Sequence, residues 1–287
     1  MILLWAGLAI GAVYALVAVG CNIVFIASGV FNFAQAYVLM IGSFTALISG
    51  AQLGLPLWAA IIFCAVVGAL VGAVEEVVAI RRLSGKGADN ELVTTLGFSV
   101  ILSGIAFVIW GPNPLSVSYF AGQTAFDFLG GRIEFSDVLL ILVSILVAGA
   151  TGLFARKSII GLAGLATAED RAAAMLRGVN VKALSLGAFA LGGALVAAGA
   201  PLVASKTLAS YSLGDSIAVK VFVVLAIGGI GSQRGALVGG FAVGLVEVFS
   251  ARYLGGDWAG ISVFILLVIV LLVRPSGLFG QIKKRVV

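Results

Sequence analysis

Apolar residues fill most of the chain in long runs, and short polar stretches separate these runs. No charged side chain occurs in residues 1–74. The first fifty residues alone would form roughly 75 Å of helix, which is about two and a half crossings of a ~30 Å hydrocarbon core. The chain must therefore fold back within this run. The glycines and polar residues of 20–32 predict a non-helical interruption there.

The later apolar runs predict further membrane helices. Pro56 should open a long helix, and Pro201 should kink a later one. The glycine-rich stretch 228–235 should break another run into two short segments. We expect an all-α polytopic membrane protein with about 8 to 10 transmembrane helices or half-helices in a single domain over residues 1–287. The later spans are expected at 57–80, 92–110, 138–154, 183–204, 218–251 and 258–273.

Two pairs of glycines have the spacing that brings membrane helices close together. Gly7 with Gly11, and Gly68 with Gly72, are each four residues apart. In a helix such pairs lie on one face and let a neighbouring backbone approach. We therefore expect close helix contacts at both pairs.

A charged segment, 156–182, is the longest polar insertion. Residues 167–170 read Thr-Ala-Glu-Asp, a capping-box pattern that predicts a helix start, and Gly178 suits the end of that helix. Apolar residues at helical spacing would share one face of it. They are Ala168, Ala172, Met175, Leu176 and Val179. This short amphipathic helix would lie outside the bilayer, either as a connector on the lipid headgroups or as a docking element for a soluble partner.

Composition narrows the possible functions. The chain is 62% hydrophobic and 10% charged, with a mean hydropathy of +1.23, which excludes a soluble domain. It contains no histidine, the usual proton shuttle and metal ligand, and its two cysteines, Cys21 and Cys64, lie inside apolar runs. We therefore expect no cofactor, no metal site and no disulfide. The stretch 228–235 lacks the spacing of a phosphate-binding loop, and nothing else in the sequence indicates nucleotide or nucleic-acid binding.

Lysines and arginines predict the orientation. Placing 81–91, 156–182, 231–235 and 274–287 in the cytoplasm collects 13 of the 17 basic residues on that side. The break at 228–235 would then separate two short crossings. The N-terminus would be external if the first fifty residues cross twice and internal if they cross three times.

Few ionisable groups fall inside the predicted spans. Glu75 and Glu76 precede Arg81 and Arg82 by about one turn, which predicts local ion pairs at the membrane face. Glu247 lies within a span and is a candidate functional group, although Arg252 lies close enough in sequence to pair with it.

Six short motifs, in order along the chain, resemble those of the permease subunits of branched-chain amino-acid type ABC importers. The resemblance implies a type II-like importer permease in the inner (plasma) membrane, surrounded by lipid. It also implies three kinds of partner: a second homologous permease subunit, two cytoplasmic ATPase subunits and an extracytoplasmic substrate-binding protein. The motifs are Gly11-Ala-Val-Tyr-Ala-Leu-Val-Ala-Val-Gly, Asn32-Phe-Ala-Gln, Leu92-Val-Thr-Thr-Leu-Gly, Ala168-Glu-Asp-Arg-Ala-Ala-Ala-Met-Leu-Arg-Gly-Val-Asn, Gly228-Gly-Ile-Gly-Ser-Gln-Arg-Gly and Arg274-Pro-Ser-Gly-Leu-Phe-Gly.

The resemblance also suggests site residues. Neutral polar groups at apparent breaks and in the motifs would line or border the substrate pathway, unless they only bond neighbouring helices. These are Asn32, Gln35, Thr94 and Thr95. The amphipathic helix in 156–182 would be the coupling segment that sits in a cleft of the ATPase. Its candidate residues are Glu169, Asp170, Arg171, Met175, Leu176 and Gly178.

The substrate stays open at this stage. Members of the resembled family usually carry His, Gly and an acid after Asn-Phe-Ala, whereas this chain carries Gln35, Ala36 and Tyr37. The departure leaves urea, short amides and aromatic acids as alternatives to branched-chain or other hydrophobic amino acids.

Two other classes of protein were weighed against an ATP-driven permease. A stand-alone channel or secondary carrier usually places ionisable residues at the midplane, and this sequence offers little beyond Glu247. A membrane enzyme would need a nucleophile and a base, for which a chain without histidine has poor candidates. An ATP-driven permease needs neither, because separate subunits hydrolyse the ATP. We therefore expect a transport subunit and not an enzyme.

Overall fold

The computed structural model describes residues 1–81, 88–117, 119–120, 125–128 and 131–280. In these residues the chain is almost entirely helical, apart from one short antiparallel hairpin. The helices are α1 Ile2–Ser28, α2 Gln35–Leu47, α3 Leu57–Glu75, α4 Ala88–Trp110, α5 Phe135–Lys157, α6 Ile159–Glu169, α7 Arg171–Leu176, α8 Val181–Ala198, α9 Ala200–Thr207, α10 Leu213–Gly228, α11 Gln233–Tyr253 and α12 Gly256–Val273. The hairpin strands are β1 Phe126–Phe128 and β2 Gly131–Ile133, and π-helical turns extend α2 over Ile48–Gln52 and α3 over Glu76–Ile80.

Seven of the described helices are long and apolar enough to cross a membrane. They are α1, the extended α3, α4 from Asn90, α5, α8, α11 and α12. The extended α2 and the shorter α10 are further apolar helices in the same bundle. Most helices expose large apolar side chains outward, as a lipid-facing surface requires. Of the basic residues assigned to the cytoplasm, Arg82, Lys86, Lys283, Lys284 and Arg285 lie outside the described residues.

The first fold-back lies later than the sequence predicted. Helix α1 continues through Gly20 and Asn22, and the chain leaves it at Gly29, which has a left-handed φ of 75°. The break therefore spans 29–34 and not 20–32. Asn22 does not interrupt the helix because its side-chain amide bonds to another part of the chain: it donates to the Ser232 carbonyl at 3.0 Å and accepts from the Gly231 N–H at 2.8 Å.

The two predicted glycine pairs lie at tight helix contacts. A Cβ on Gly11 would lie 2.7 Å from the carbonyl oxygen of Gly240, so α1 and α11 approach backbone to backbone. A Cβ on Gly72 would overlap the carbonyl oxygen of Phe189 on α8. Helices α1, α3, α8 and α11 can pack this closely because both partners present small residues.

The predicted break at 228–235 is confirmed. Helix α10 ends at Gly228, α11 begins at Gln233, and Gly229 between them has a φ of 93°. The N–H groups of Leu278 and Phe279 donate to the carbonyls of Ile227 and Gly228 at 2.8 and 3.1 Å. The last glycine-rich motif of the chain thus packs on the break and supplies partners for carbonyls at the end of α10, which have no partner within the helix.

The span predicted at 183–204 is two helices rather than one kinked helix. Helix α8 ends before Gly199, and α9 begins at Ala200 with Pro201 in its first turn. Proline lacks the N–H that would continue the helical hydrogen bonds, so a new helix starts where it stands.

The two ends of α1 lie at opposite ends of the bundle. At its start, a Cβ on Gly131 of β2 would lie 2.9 Å from the Cβ of Met1. Near its end, Ile26 and Ala27 pack against Gly164 of α6 at 3.6 to 3.8 Å. If α6 lies in the cytoplasm, as the basic residues predict, Met1 would be external, which corresponds to the two-crossing alternative.

Candidate functional site

A buried polar cluster, Asn32, Gln35 and Glu75, lies at the break between α1 and α2. The Asn32 amide nitrogen lies 3.0 Å from a Glu75 carboxylate oxygen and 3.4 Å from the Gln35 side-chain oxygen, and it donates to both. The Asn32 side-chain oxygen accepts from the Ala34 N–H at 2.8 Å. All three side chains of the cluster are almost fully shielded. Asn32 therefore ties the break to α3.

Sequence reasoning missed the position of Glu75. Its neighbour Glu76 forms the predicted ion pair with Arg81, at 2.8 Å, but Glu75 points into the bundle, so the local pairing predicted for it is wrong. Helical spacing could have revealed this inward position. Glu75 continues the face of Gly68 and Gly72, and that face is packed against α8.

Two atoms of the polar cluster have no hydrogen-bond partner among the described residues. They are the second carboxylate oxygen of Glu75 and the side-chain nitrogen of Gln35. Each such atom costs of order 1–3 kcal/mol when it is shielded from water. Unsatisfied groups of this kind are rare in packed interiors, which marks the cluster as a candidate functional element.

The other two predicted pathway residues lie on α4. The Thr95 hydroxyl is buried and donates to the Leu92 carbonyl at 3.0 Å, and the half-buried Thr94 donates to the Asn90 carbonyl at 2.5 Å. Both hydroxyls thus bond within their own helix. The structure brings Asn32 and Gln35 together, and no described hydrogen bond joins the threonines to them.

A groove of about 370 Å³ opens between α2, α4 and the start of α10. The phenol of Tyr37 on α2 donates to the Asp215 carboxylate on α10 at 2.5 Å. Ser103 of α4 donates to the Tyr211 carbonyl at 3.1 Å. The groove is lined by Tyr37, Val100, Ser103, Gly104, Phe107, Tyr211 and Asp215. Of these residues the sequence analysis named only Tyr37, because the groove forms between helices that only the fold brings together.

Glu247 pairs with Lys220 and not with Arg252, the base that lies close to it in sequence. Lys220 on α10 reaches one Glu247 carboxylate oxygen at 2.5 Å, and Tyr14 on α1 donates to the other at 2.7 Å. The Lys220 ammonium group also donates to the Tyr14 hydroxyl at 3.0 Å. This triad joins three helices, and Lys220 takes the place predicted for Arg252.

The short helix predicted to start at Thr167 begins later, at Arg171. Thr167 lies inside α6 and its hydroxyl donates to the Ala163 carbonyl at 2.8 Å, so the predicted capping box is wrong. Asp170 is the N-cap of α7 instead, and its carboxylate accepts from the N–H groups of Ala172 and Ala173 at 2.9 and 3.0 Å. The predicted end at Gly178 is confirmed, because that residue has a φ of 87°.

The apolar residues of α7 are not covered by the described part of the chain. Met175 is 53% exposed and Leu176 is 89% exposed, while Ala174 is the buried residue of this helix. Glu169 and Asp170 are also exposed, at the turn between α6 and α7. The segment therefore presents two large apolar side chains next to acidic groups on one surface.

Comparison with known proteins identifies the family. The profile described as "Branched-chain amino acid transport system / permease component" matches residues 3–272. The chain belongs to this family. It is 32% identical to the high-affinity branched-chain amino acid transport system permease protein BraD of Pseudomonas aeruginosa, over 96% of this chain and 94% of that protein. It is 31% identical to the corresponding LivH protein of Escherichia coli K12, with the same coverage of both chains.

More distant similarity extends to another permease and to a solved structure. The ribose import permease protein RbsC of Haemophilus influenzae is 26% identical over 82% of this chain and 73% of that protein. The solved structure titled "PsaBC from Streptococcus pneumoniae in complex with Fab" matches with a TM-score of 0.50 and 14% identity, over 97% of this chain and 94% of that chain. That likeness concerns the fold alone. Family membership confirms the predicted all-α membrane fold and a transport role in the membrane.

Proposed function

We propose that this permease is the transmembrane subunit of an ATP-driven importer for branched-chain or closely similar hydrophobic amino acids. It would pair with a second homologous permease subunit, receive substrate from an extracytoplasmic binding protein, and depend on two cytoplasmic ATPase subunits. Near full-length similarity to permeases named for branched-chain amino acid transport supports the substrate class.

The exposed face of α7 is the observation that carries the coupling part of the proposal. Met175 and Leu176 project from a capped helix at the end of the bundle where α6 packs, and the described part of the chain leaves them uncovered. Full burial of such a side chain contributes about 1.5–3 kcal/mol, so an ATPase cleft that covers both gains substantially from this contact. The nearby charges of Glu169, Asp170 and Arg171 would fix the register.

Asn32, Gln35, Thr94 and Thr95 would border the substrate route. Asn32 and Gln35 lie at the break between α1 and α2. The backbone can change direction there because few helical hydrogen bonds hold it. Thr94 shares a face of α4 with Gly97 and Gly104, and a Cβ on either glycine would meet nothing within 4 Å. In this conformation Asn32, Gln35 and Thr95 are closed to solute, so their role would require movement of α3 or α4.

Residues 35–37 differ from the His, Gly and acid that the family usually carries there, and this difference is compatible with an amino-acid substrate. Gln35 faces the α1 and α8 backbones, because a Cβ on Gly20 would lie 2.9 Å from its side-chain nitrogen and a Cβ on Gly192 would lie 3.5 Å from it. Gln35 therefore packs between α1 and α8 within the polar cluster. Tyr37 is the residue of this group that lines the groove.

Purification from native membranes tests the proposal. A tagged chain, extracted in mild detergent, should co-purify with a second permease and an ATPase, and vesicles containing the assembled complex and its binding protein should accumulate labelled leucine only with ATP. The chain alone should hydrolyse no ATP. Accumulation of leucine by the chain alone would contradict the proposal and favour a secondary carrier.

A further inference from the structure

We infer that the groove between α2, α4 and α10 binds the ammonium end of a solute that also carries an apolar body. This inference rests on the proposed function and specifies how the permease itself, apart from any binding protein, recognises its substrate. Asp215 would meet the ammonium group, and the rings of Phe107 and Tyr211 would contact the cation and the apolar body.

Asp215 has the geometry of an anionic recognition group. It lies in the first turn of α10, where the unpaired N–H groups of the helix favour a negative charge. The Tyr37 phenol donates to one of its oxygens, which fixes the carboxylate without neutralising it. The Asp215 side chain is exposed in the groove, so a solute can reach the remaining oxygen positions.

No lysine or arginine of the described residues lies close enough to Asp215 to form an ion pair. Within the described residues the same is true of Glu75 and Asp257, whereas four other acids each form an ion pair with a basic side chain: Glu76, Glu134, Asp137 and Glu247. The seven residues that line the groove include no basic residue at all, so the missing cation would be supplied by the solute.

Two aromatic rings complete the site. Phe107 and Tyr211 meet edge to face, with their centroids 5.2 Å apart, and both line the groove beside Asp215. Aromatic faces attract ammonium groups and also contact aliphatic carbon. The groove volume of about 370 Å³ falls within the range of ~300–1,000 Å³ typical of small-molecule sites.

The same geometry discriminates between the possible substrates. A free aromatic acid would bring a carboxylate next to Asp215 with no base to offset the repulsion. Urea and short amides carry no charge for Asp215 and little apolar surface for the rings. An amino acid with an aliphatic side chain also carries a carboxylate, but its ammonium group offsets the repulsion from Asp215 and its side chain contacts the rings.

The test is uptake by the complete transporter, assembled with its ATPases, second permease and binding protein. Leucine is compared with 4-methylpentanoate, which keeps the leucine carbon skeleton but lacks the ammonium group, and with urea. Asp215→Asn is the principal variant. Asp257→Asn is the matched control, because Asp257 is also an exposed acid in the first turn of a helix, α12, but lies outside the groove.

We expect the wild type to import leucine and neither other solute. Asp215→Asn should raise the KM for leucine about tenfold, since a charge-assisted contact is roughly twice as strong as a neutral one, and Asp257→Asn should leave it unchanged. Tyr37→Phe should give a smaller rise. If leucine uptake by Asp215→Asn equals that of Asp257→Asn, the inference is overturned while the proposed function stands. If the wild type imports urea or 4-methylpentanoate but not leucine, or none of the three, the proposed substrate fails and the inference fails with it.

Discussion

The side-chain amide of Asn32 donates a 3.0 Å hydrogen bond to the carboxylate of Glu75, across 43 residues of sequence. This bond connects the non-helical turn after α1 to the packed face of α3. It also supplies the one described hydrogen bond to a fully buried acid.

Replacing Asn32 with Ala should therefore destabilise the protein. Glu75 loses its donor while it stays buried, and leaving such a group unsatisfied costs about 1–3 kcal/mol or more. The measurement is the free energy of unfolding in detergent, for Asn32→Ala in the wild type and in a Glu75→Ala background. The loss should be smaller in the second background, because no acid is then left without a donor. Equal losses would mean that Asn32 acts through its bonds to Ala34 and Gln35 and not through Glu75.

Gly72→Ala should prevent correct packing of α3 on α8. The added methyl group would overlap the Phe189 carbonyl oxygen, which belongs to the backbone and cannot rotate away. Overpacking of this kind costs about 1–3 kcal/mol, and more where backbones touch. Gly97→Ala on α4 is the control, since a Cβ there meets nothing within 4 Å. Monodisperse yield after size-exclusion chromatography should fall for Gly72→Ala alone, and a similar yield for both variants would refute the close contact.

Within the triad, the charges of Lys220 and Glu247 should be energetically coupled. Lys220→Met leaves the Glu247 carboxylate with only the Tyr14 hydroxyl, and Glu247→Gln leaves the Lys220 ammonium group without its anion. Each single change should cost about 2 kcal/mol of unfolding free energy, the scale of a hydrogen bond to a charged group. The double variant should be more stable than the sum of the singles predicts. Strict additivity would show that the ion pair contributes nothing.

Cysteine labelling checks the orientation. Ile230 lies in the break between α10 and α11, and Leu254 lies between α11 and α12; both are exposed. An impermeant maleimide should label Ile230→Cys only from the cytoplasmic side and Leu254→Cys only from the outside. Native Cys21 and Cys64 are buried, which keeps the background low. If the reagent labels both positions from the same side, α11 does not cross the membrane and the predicted topology is wrong.

The sequence predicted where helices begin and end better than it predicted which helices lie beside each other. Apolar runs, prolines and glycine clusters act locally, so the start of α3 and the break between α10 and α11 followed from them. The contacts that make the site are not local. Glu75, Asp215 and Lys220 meet partners on helices that are distant in sequence, and no periodicity along one helix reveals which helix lies beside it.

Two errors have the same physical origin. The sequence predicts irregular backbone around Asn22 and a helix cap at Thr167, but both residues lie inside a helix. Asn22 bonds to a distant segment and Thr167 bonds back to its own helix, which satisfies the side chain without ending the helix. For α7, Asp170 supplies the cap, and the exposed Met175 and Leu176 remain as predicted candidates for a partner contact.

The central claim is that α7 links this permease to an ATPase, and ATP-driven uptake by the assembled transporter tests it most directly. Met175→Asp with Leu176→Asp places two charges on the exposed apolar face, whereas Met175→Leu with Leu176→Met keeps that face apolar at similar volume and serves as the control. We predict that the aspartate variant inserts into the membrane normally but loses both ATPase co-purification and leucine uptake, while the control retains both. If the aspartate variant still co-purifies with the ATPase and imports leucine at the wild-type rate, α7 is only a connector at the membrane surface and the claim is contradicted.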